Sequence, residues 1–226
     1  MLLQREREWV AEYGRRLVRA GLATGTFGNL SAFCRERGLM AISPSGMDYF
    51  GTAPEDVSVV DLDGRLLEGA RPSSEVDLHL VFYRRRPGAG GVVHTHSPYA
   101  TTLACLGWPI DPVHYLAAYG GRAVPCIPYH PFGTAELAEA AYRAMDPGCD
   151  ACLLGGHGLV AVGPDLPFAF DAAEQLEFAS QLTYRTRLAG GGIPLTPGQL
   201  DYAAQKLRGY GQGRGALSVA GKNDYI

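Results

Sequence analysis

Apolar residues recur along the chain at two different spacings, which predicts a mixed α/β protein. Between residues 4 and 20, Trp9, Tyr13 and Leu17 recur at helical spacing with Arg and Glu between them, and Gly21 follows as a stop. Similar patterns predict further helices over residues 73–86, 97–106, 134–145, 168–188 and 197–207. Short apolar runs between turn residues predict strands after residue 28 and over 39–42, 57–62, 65–67, 91–96, 124–127, 151–154 and 159–162.

Composition limits the classes of protein to which the chain can belong. The 226 residues are 46% hydrophobic and carry a formal net charge of −3 with no basic stripe, which predicts one sizeable core and argues against nucleic acid as a partner. We expect a single domain over residues 1–211, followed by a tail over 212–226 that has little pattern. No apolar run approaches the length of a membrane span, and no membrane partner is expected.

The cysteines and the first residues suggest a compartment. Five scattered cysteines are an odd number, and the first residues show no signal-peptide pattern, so we expect a cytoplasmic protein with reduced thiols. Cys149 and Cys152 have the spacing of redox pairs and zinc knuckles. No second pair accompanies them and Cys152 leads into Leu153 and Leu154, so a buried strand residue is the preferred interpretation.

His94-Thr95-His96 ends the strand that begins at Gly91. Side chains two apart on a strand point to the same face, so both imidazoles can reach one cation. Neutral imidazoles suit zinc or a similar divalent metal. The alternative is a pair of surface histidines at a strand end.

Two other short segments supply further candidate ligands. His157 lies among glycines, which is unusual for a packing residue and favours a ligand over a core histidine. Glu75 lies at the start of a predicted helix, where the helix dipole also stabilises a carboxylate. His79 follows one helical turn later. We interpret it as a core residue or a neighbour of the ligands, unless His94 and His96 prove not to be the ligands.

Three polar turns are candidates for binding an anion. The first is Gly25–Ser31, the second is Ser43–Gly46, and the third is the pair Ser73-Ser74 at a helix start. Glycine-rich backbones, hydroxyl groups and helix starts all present donors to a phosphate. The first turn is neither a Walker loop nor a dinucleotide fingerprint, and taken alone a plain turn is its preferred interpretation.

In this order, these segments resemble the class II aldolase and adducin head family, in particular its L-fuculose-1-phosphate aldolase branch. The resemblance covers roughly residues 5–211. It rests on six motifs together: Gly25-Thr26-Phe27-Gly28-Asn29-Leu30-Ser31, Pro44-Ser45-Gly46, Pro72-Ser73-Ser74-Glu75, His94-Thr95-His96, His114-Tyr115 and His157-Gly158. It implies a single α/β domain with a mostly antiparallel central sheet between helical layers. It also implies a cyclic homotetramer with active sites between neighbouring subunits.

The resemblance also implies a role for each matching residue. The metal ligands would be Glu75, His94, His96 and His157, holding one Zn2+ (or Mn2+ or another divalent ion) per subunit. Glu75 would also be the mobile acid/base, and Tyr115 from the neighbouring subunit would handle the proton on the aldehyde-side oxygen. The substrate phosphate would lie against Gly28, Asn29, Ser45, Gly46, Ser73 and Ser74. Phe132 and Tyr210 would line the aldehyde end.

The implied reaction is aldol cleavage of a ketose 1-phosphate, either L-fuculose 1-phosphate or a 5-deoxypentulose 1-phosphate. Its products are dihydroxyacetone phosphate and a small aldehyde, formed through an enediolate that the metal stabilises. A Schiff-base lysine is not required, and lysine occurs only as Lys206 and Lys222. Gly156 stands where the fuculose branch has a second histidine, so the aldehyde can differ from that of fuculose.

Other activities of the family stay open. A pentulose-phosphate 4-epimerase uses similar chemistry, but the segment from His114 to Ala118 lacks the Asp of the epimerase pattern. Sugar-phosphate dehydratases remain possible, whereas decarboxylase relatives tend to carry Lys where Ser74 stands. A non-catalytic, adducin-like interaction domain is the hypothesis of a different class, and that branch loses the metal ligands.

Overall fold

The computed structural model describes residues 1–145 and 148–208. Within these ranges six α-helices and eight strands follow the predicted order, so the expected α/β class is confirmed. The helices are α1 Gln4–Arg19, α2 Val76–Arg85, α3 Pro98–Leu106, α4 Ala135–Met145, α5 Leu166–Leu188 and α6 Pro197–Arg208, with a 3-10 helix over Tyr115–Gly120. The strands are β1 Asn29–Cys34, β2 Leu39–Ile42, β3 Ser58–Asp61, β4 Leu66–Glu68, β5 Gly91–Thr95, β6 Cys126–Ile127, β7 Ala151–Leu154 and β8 Gly158–Gly163.

The eight strands form one sheet in the order β4-β3-β2-β1-β5-β8-β7-β6. Every neighbouring pair is antiparallel except β6 with β7. Buried side chains form one cluster on each face of the sheet, with α1, α3 and α5 against one cluster and α2 and α4 against the other. The expected three-layer arrangement of helices around a mostly antiparallel sheet is therefore confirmed.

Several boundaries differ from the predicted ones. The strand expected over 124–127 is limited to Cys126–Ile127, and Val124 instead forms an isolated bridge with Ile110. Helix α5 begins at Leu166, two residues before its expected start, because Asp165 caps it: Asp165 Oδ1 accepts a hydrogen bond from Phe168 N at 2.8 Å. Helix α2 begins at Val76 and not at residue 73, so Glu75 occupies its N-cap.

The structure assigns the second Cys of the Cys149-x-x-Cys152 pair to the core. Cys152 lies in β7 with no exposed surface, and burial raises the pKa of its thiol. All five cysteines are free thiols. Cys152 is therefore a buried strand residue, as expected. No helix among the described residues is long and apolar enough to cross a membrane.

Glycine lets β5 pack closely against the start of α5. A Cβ atom at Gly91 would overlap backbone atoms of Asp165 and Leu166, whereas a Cβ at Gly88 would meet nothing within 4 Å. Backbone cannot yield as a flexible side chain can, so added volume at Gly91 forces the helix and the strand apart.

We therefore expect Gly91→Ala to lower the free energy of unfolding by about 1–3 kcal/mol or more. Gly88→Ala is the matched control, and it should leave stability within about 0.5 kcal/mol because its site is open. Urea unfolding of both variants measures the difference. Equal stability of the two variants would contradict the packing described here.

Candidate functional site

The central strands place three histidines at one end of the sheet. His94 is the fourth residue of β5 and pairs with Asn29 on β1 and Val160 on β8. His96 follows the strand, and His157 lies in the turn between β7 and β8. A Cβ atom at Gly158 would overlap the carbonyl oxygen of Thr95, so a glycine is needed for this turn to reach β5.

The ring nitrogens of these histidines converge with the carboxylate of Glu75. His94 Nε2 is 3.0 Å from His96 Nε2 and 3.2 Å from His157 Nε2, and all three ligand atoms lie within 4.8 Å of one another. Glu75 Oε2 is 3.3 Å from His94 Nε2, and Glu75 Oε1 is 3.5 Å from His157 Nε2. Thus the structure brings together all four of the expected ligands.

Burial disfavours the protonated form of all three histidines, which suits metal binding. His94 Nδ1 is 2.9 Å from the carbonyl oxygen of Leu159, which can only accept, so Nδ1 carries the proton and Nε2 presents a lone pair. Burial, with the neighbouring imidazoles His157 and His96, holds the pKa of His94 well below its ordinary value. Burial also lowers the pKa of His96 and of His157, although Glu75 acts in the opposite direction.

The donor set fits a divalent cation. In a tetrahedral site with bonds of about 2.0–2.1 Å, two nitrogen ligands lie roughly 3.3 Å apart. The distances from His94 Nε2 to the Nε2 atoms of His96 and His157 are close to this value. Glu75 Oε1 is buried without a protein hydrogen-bond partner, and a cation would satisfy it. Three imidazoles and a carboxylate suit zinc or a similar metal.

Two of the expected anion-binding turns lie side by side next to Glu75. Ser45 N donates to the carbonyl oxygen of Arg71 at 2.9 Å, and Ser73 N donates to that of Ser43 at 3.2 Å. Ser45 and Ser74 are exposed and free to meet a ligand, as is Gly46. Ser73 is buried, and its Oγ accepts a hydrogen bond from Glu75 N at 3.2 Å.

A hydrogen bond joins the glycine-rich turn to Tyr49, which follows the second turn. The Tyr49 hydroxyl donates to the carbonyl oxygen of Gly28 at 2.9 Å. Gly28 has a φ of 72°, and a Cβ atom there would lie 2.9 Å from the carbonyl oxygen of His94. The turn therefore packs directly on the strand that carries the histidines. Phe27 stacks on His96 with ring centroids 5.9 Å apart, a contact that the sequence did not predict.

Asn29 has a contact that the sequence did not reveal. Its side-chain Nδ2 donates to Glu75 Oε2 at 2.8 Å, and its Oδ1 lies 2.5 Å from His79 Nε2. The Asn29 amide therefore hydrogen-bonds directly to the Glu75 carboxylate. His79 is fully buried, and burial together with His94 lowers its pKa to about 3, so its ring is neutral. His79 is a buried neighbour of the ligands, as expected.

Of the residues expected at the aldehyde side, Tyr115 and Phe132 are exposed, and Tyr210 lies outside the described ranges. Tyr115 is half exposed and lines a cavity of about 760 Å³ against α5 and α6. His96 lines a different cavity of about 520 Å³, together with Trp108 and Tyr184. Phe132 is exposed and its neighbour Gly133 lies against the carbonyl of Ser74. Tyr210 and the tail over 212–226 lie outside the described residues.

Known proteins resemble this chain in sequence and in structure. The family model described as "Class II Aldolase and Adducin N-terminal domain" matches residues 8–184. A 5-deoxy-D-ribulose 1-phosphate aldolase of Bacillus thuringiensis serovar kurstaki is 48% identical over 94% of this chain and 100% of its own length. An L-fuculose phosphate aldolase of Escherichia coli K12 is 36% identical over 86% of this chain and 90% of its own length. A solved L-fuculose 1-phosphate aldolase superposes with a TM-score of 0.87 at 37% identity, covering 92% of this chain and 98% of its own.

The convergence of lone pairs predicts one divalent cation per chain. We expect His157→Ala to weaken Zn2+ binding by at least about 100-fold. Replacing a residue that only hydrogen-bonds to a metal ligand already lowers metal affinity by about 10–100-fold. His130→Ala is the control, since His130 is not part of the three-histidine group. Competition with a chromogenic chelator at fixed pH measures both affinities. Equal affinity of the two variants would contradict the assignment of His157 as a ligand.

Proposed function

The chain belongs to the Class II Aldolase and Adducin N-terminal domain family and is a class II aldolase, and we propose that it cleaves 5-deoxy-D-ribulose 1-phosphate. The products are dihydroxyacetone phosphate and acetaldehyde. The meeting of Glu75 with three histidine Nε2 atoms beside two polar turns carries this proposal. The 48% identity to a 5-deoxy-D-ribulose 1-phosphate aldolase favours this ketose over L-fuculose 1-phosphate.

Binding begins with the phosphate end of the substrate. The exposed groups of Ser45, Gly46 and Ser74 take the phosphate, and the N-terminus of α2 adds its dipole. Gly28, Asn29 and Ser73 complete the wall of this site. Phosphate contacts on fixed turns set the register of the ketose carbons relative to Glu75, which lowers the entropic cost of the reaction.

The cation, which we propose to be Zn2+, would be held by His94, His96, His157 and Glu75. When bound, the cation supplies Lewis-acid stabilisation of the negative charge that the three-carbon fragment acquires. Neutral imidazoles and one carboxylate leave a net positive charge at the site once a divalent ion is present. The positive charge of the site therefore stabilises the negative charge that develops on the substrate.

Proton transfers then fall to two side chains. The C4 hydroxyl gives its proton to the Tyr115 oxygen of the neighbouring subunit as the C3–C4 bond breaks and the C4 carbonyl forms. The bonding electrons pass to the C2 oxygen, and the C3 hydroxyl gives its proton to the Glu75 carboxylate, so the three-carbon fragment is an enediolate. Glu75 lies at the histidines with Oε1 unpartnered, so it is placed to return that proton to carbon C3, and the proton held by Tyr115 restores the C3 hydroxyl of dihydroxyacetone phosphate.

The proposal includes a homotetramer in the cytoplasm. Tyr115 is half exposed and lines a cavity other than that of His96, as suits a residue that acts in a neighbouring site. Phe132 and Tyr210 are assigned to the aldehyde end. Free thiols at all five cysteines suit a reducing compartment.

We expect zinc-loaded protein to convert 5-deoxy-D-ribulose 1-phosphate to equimolar dihydroxyacetone phosphate and acetaldehyde, and a chelator to abolish turnover. The measurement is a coupled assay for each product over a panel that includes L-fuculose 1-phosphate and a pentulose 5-phosphate. A larger kcat/KM for L-fuculose 1-phosphate would overturn the choice of ketose. Stoichiometric zinc with no cleavage of any ketose phosphate would overturn the aldolase proposal.

The shared site predicts complementation between inactive variants. Tyr115→Phe should lower kcat by about 10²–10⁴-fold and leave zinc content unchanged, since it removes the group that takes the C4 hydroxyl proton and removes no ligand. His157→Ala should lose zinc and activity together. Subunits of the two variants, dissociated and reassembled together, should regain activity because some sites then combine an intact metal centre with an intact Tyr115. No gain after mixing would place Tyr115 in its own subunit's site.

A further inference from the structure

A row of polar side chains runs between α2 and β1 through an otherwise apolar layer. One face of α2 carries a polar residue every four positions: Glu75 at its N-cap, then His79 and Tyr83. On β1, Asn29 and Ser31 share one face. All five are buried, with at most 6% of any of them exposed. The metal and phosphate assignments leave three of them, His79, Ser31 and Tyr83, without a role.

The five side chains form one continuous hydrogen-bonded chain. The Tyr83 hydroxyl is 2.7 Å from Ser31 Oγ, which is 2.6 Å from His79 Nδ1. His79 Nε2 is 2.5 Å from Asn29 Oδ1, and Asn29 Nδ2 is 2.8 Å from Glu75 Oε2. The chain thus links the core of the protein to the carboxylate at the histidine centre.

The carboxylate fixes the direction of every bond from Glu75 to Ser31. An ionised Glu75 can only accept, so Asn29 must turn its NH2 group toward Glu75 and its carbonyl toward His79. That carbonyl also only accepts, so His79 carries its proton on Nε2 and leaves Nδ1 as an acceptor. Ser31 then donates to Nδ1, and the single hydroxyl proton of Tyr83 faces two acceptors, Ser31 Oγ at 2.7 Å and the Ser31 carbonyl oxygen at 3.1 Å. From Glu75 to Ser31, no donor faces a donor and no acceptor faces an acceptor.

We propose that His79 is a positioning residue for Glu75, acting through the side chain of Asn29. With the proton on Nε2, His79 holds the Asn29 amide in the orientation that donates to Glu75 Oε2. Glu75 Oε1 then stays directed at His157 Nε2, 3.5 Å away. This inference rests on the proposed function only for the role of Glu75 in turnover.

Loss of the His79 proton donor would release the Asn29 amide. An amide rotated by 180° would set its carbonyl oxygen against Glu75 Oε2, and two acceptors at such a distance repel in a buried site. The carboxylate would lose its defined position both as a ligand and as a proton donor. We therefore expect cation affinity and kcat to fall together, and KM for the phosphate-bearing substrate to change less.

The first test compares two replacements of His79 in the full-length zinc protein. His79→Phe keeps a ring but has no donor, and we expect zinc affinity and kcat to fall by about 10–100-fold with KM within about threefold. His79→Gln restores an N–H at the Nε2 end and should recover most of both losses. A folded His79→Phe variant with zinc affinity and kcat within twofold of wild type would overturn the proposal.

A matched pair of serine variants separates positioning from general loosening of the core. Ser31→Ala removes the donor to His79, whereas Ser180→Ala removes an equally buried hydroxyl that donates to the carbonyl of Leu176 within α5. We expect Ser31→Ala to weaken zinc binding by about 2- to 10-fold, the range of one buried hydrogen bond, and Ser180→Ala to leave it unchanged. Equal losses in the two variants would overturn the proposal. This pair also decides the question if His79→Phe does not fold.

Nitrogen-15 NMR of histidine-labelled zinc protein reads the proton positions directly. We expect His79 to be protonated on Nε2 and His94 on Nδ1, with the His79 signals assigned by their absence in His79→Gln. A proton on Nδ1 of His79 would overturn the proposal. The NMR and zinc-affinity readouts do not depend on cleavage, so failure to cleave any ketose phosphate would refute the proposed function without deciding this inference.

Discussion

The pairing of β5 between β1 and β8 is the constraint on which the rest of the site depends. His94 lies opposite Asn29 on one side and Val160 on the other, so both neighbours set its register. A slip of one residue on either side would turn the His94 ring to the opposite face of the sheet and away from His157. Because β5 is buried along its whole length and bonded on both edges, such a slip would break the core as well as the site. His94 thus lies on a buried strand that is bonded along both edges.

The second half of the site comes from α2 and the turns before it, and it must be held against this sheet. The Pro44–Pro72 bridge joins the turn after β2 to the segment that leads into Glu75. The polar row from Asn29 to Tyr83 joins the body of α2 to β1. A purely apolar interface would pack as well, but it would leave the rotation of the Glu75 carboxylate unspecified. Hydrogen bonds with fixed direction supply that specificity, at the cost of burying several polar groups.

Much of this architecture is predictable from the sequence, because local patterns determine it. Apolar periodicity predicted the helices and most strands, and the spacing of His94 and His96 predicted that their rings share a face. The contact of Asn29 with Glu75 spans 46 positions and depends on how α2 lies across β1, which no local pattern determines. A signal for the polar row was nevertheless present. Glu75, His79 and Tyr83 repeat at helical spacing, while Asn29 and Ser31 are two residues apart, as on one face of a strand. The early start of α5 had a signal too, since Asp165 is a good N-cap residue and Pro167 suits a first turn.

The electrostatics of the centre explain why a cation completes it better than a proton does. Without a cation, a carboxylate is buried among three imidazoles with Oε1 unpartnered, an arrangement that costs stability. A proton on one of the rings would offset the charge of Glu75, but burial lowers the pKa of His94, His96 and His157 and opposes this solution. The hydrogen bond between His94 Nδ1 and the Leu159 carbonyl further requires a lone pair on Nε2 of the neutral ring. Burial and this hydrogen bond therefore disfavour protons on the nitrogens that face Glu75, and a divalent ion could satisfy all four side chains at once.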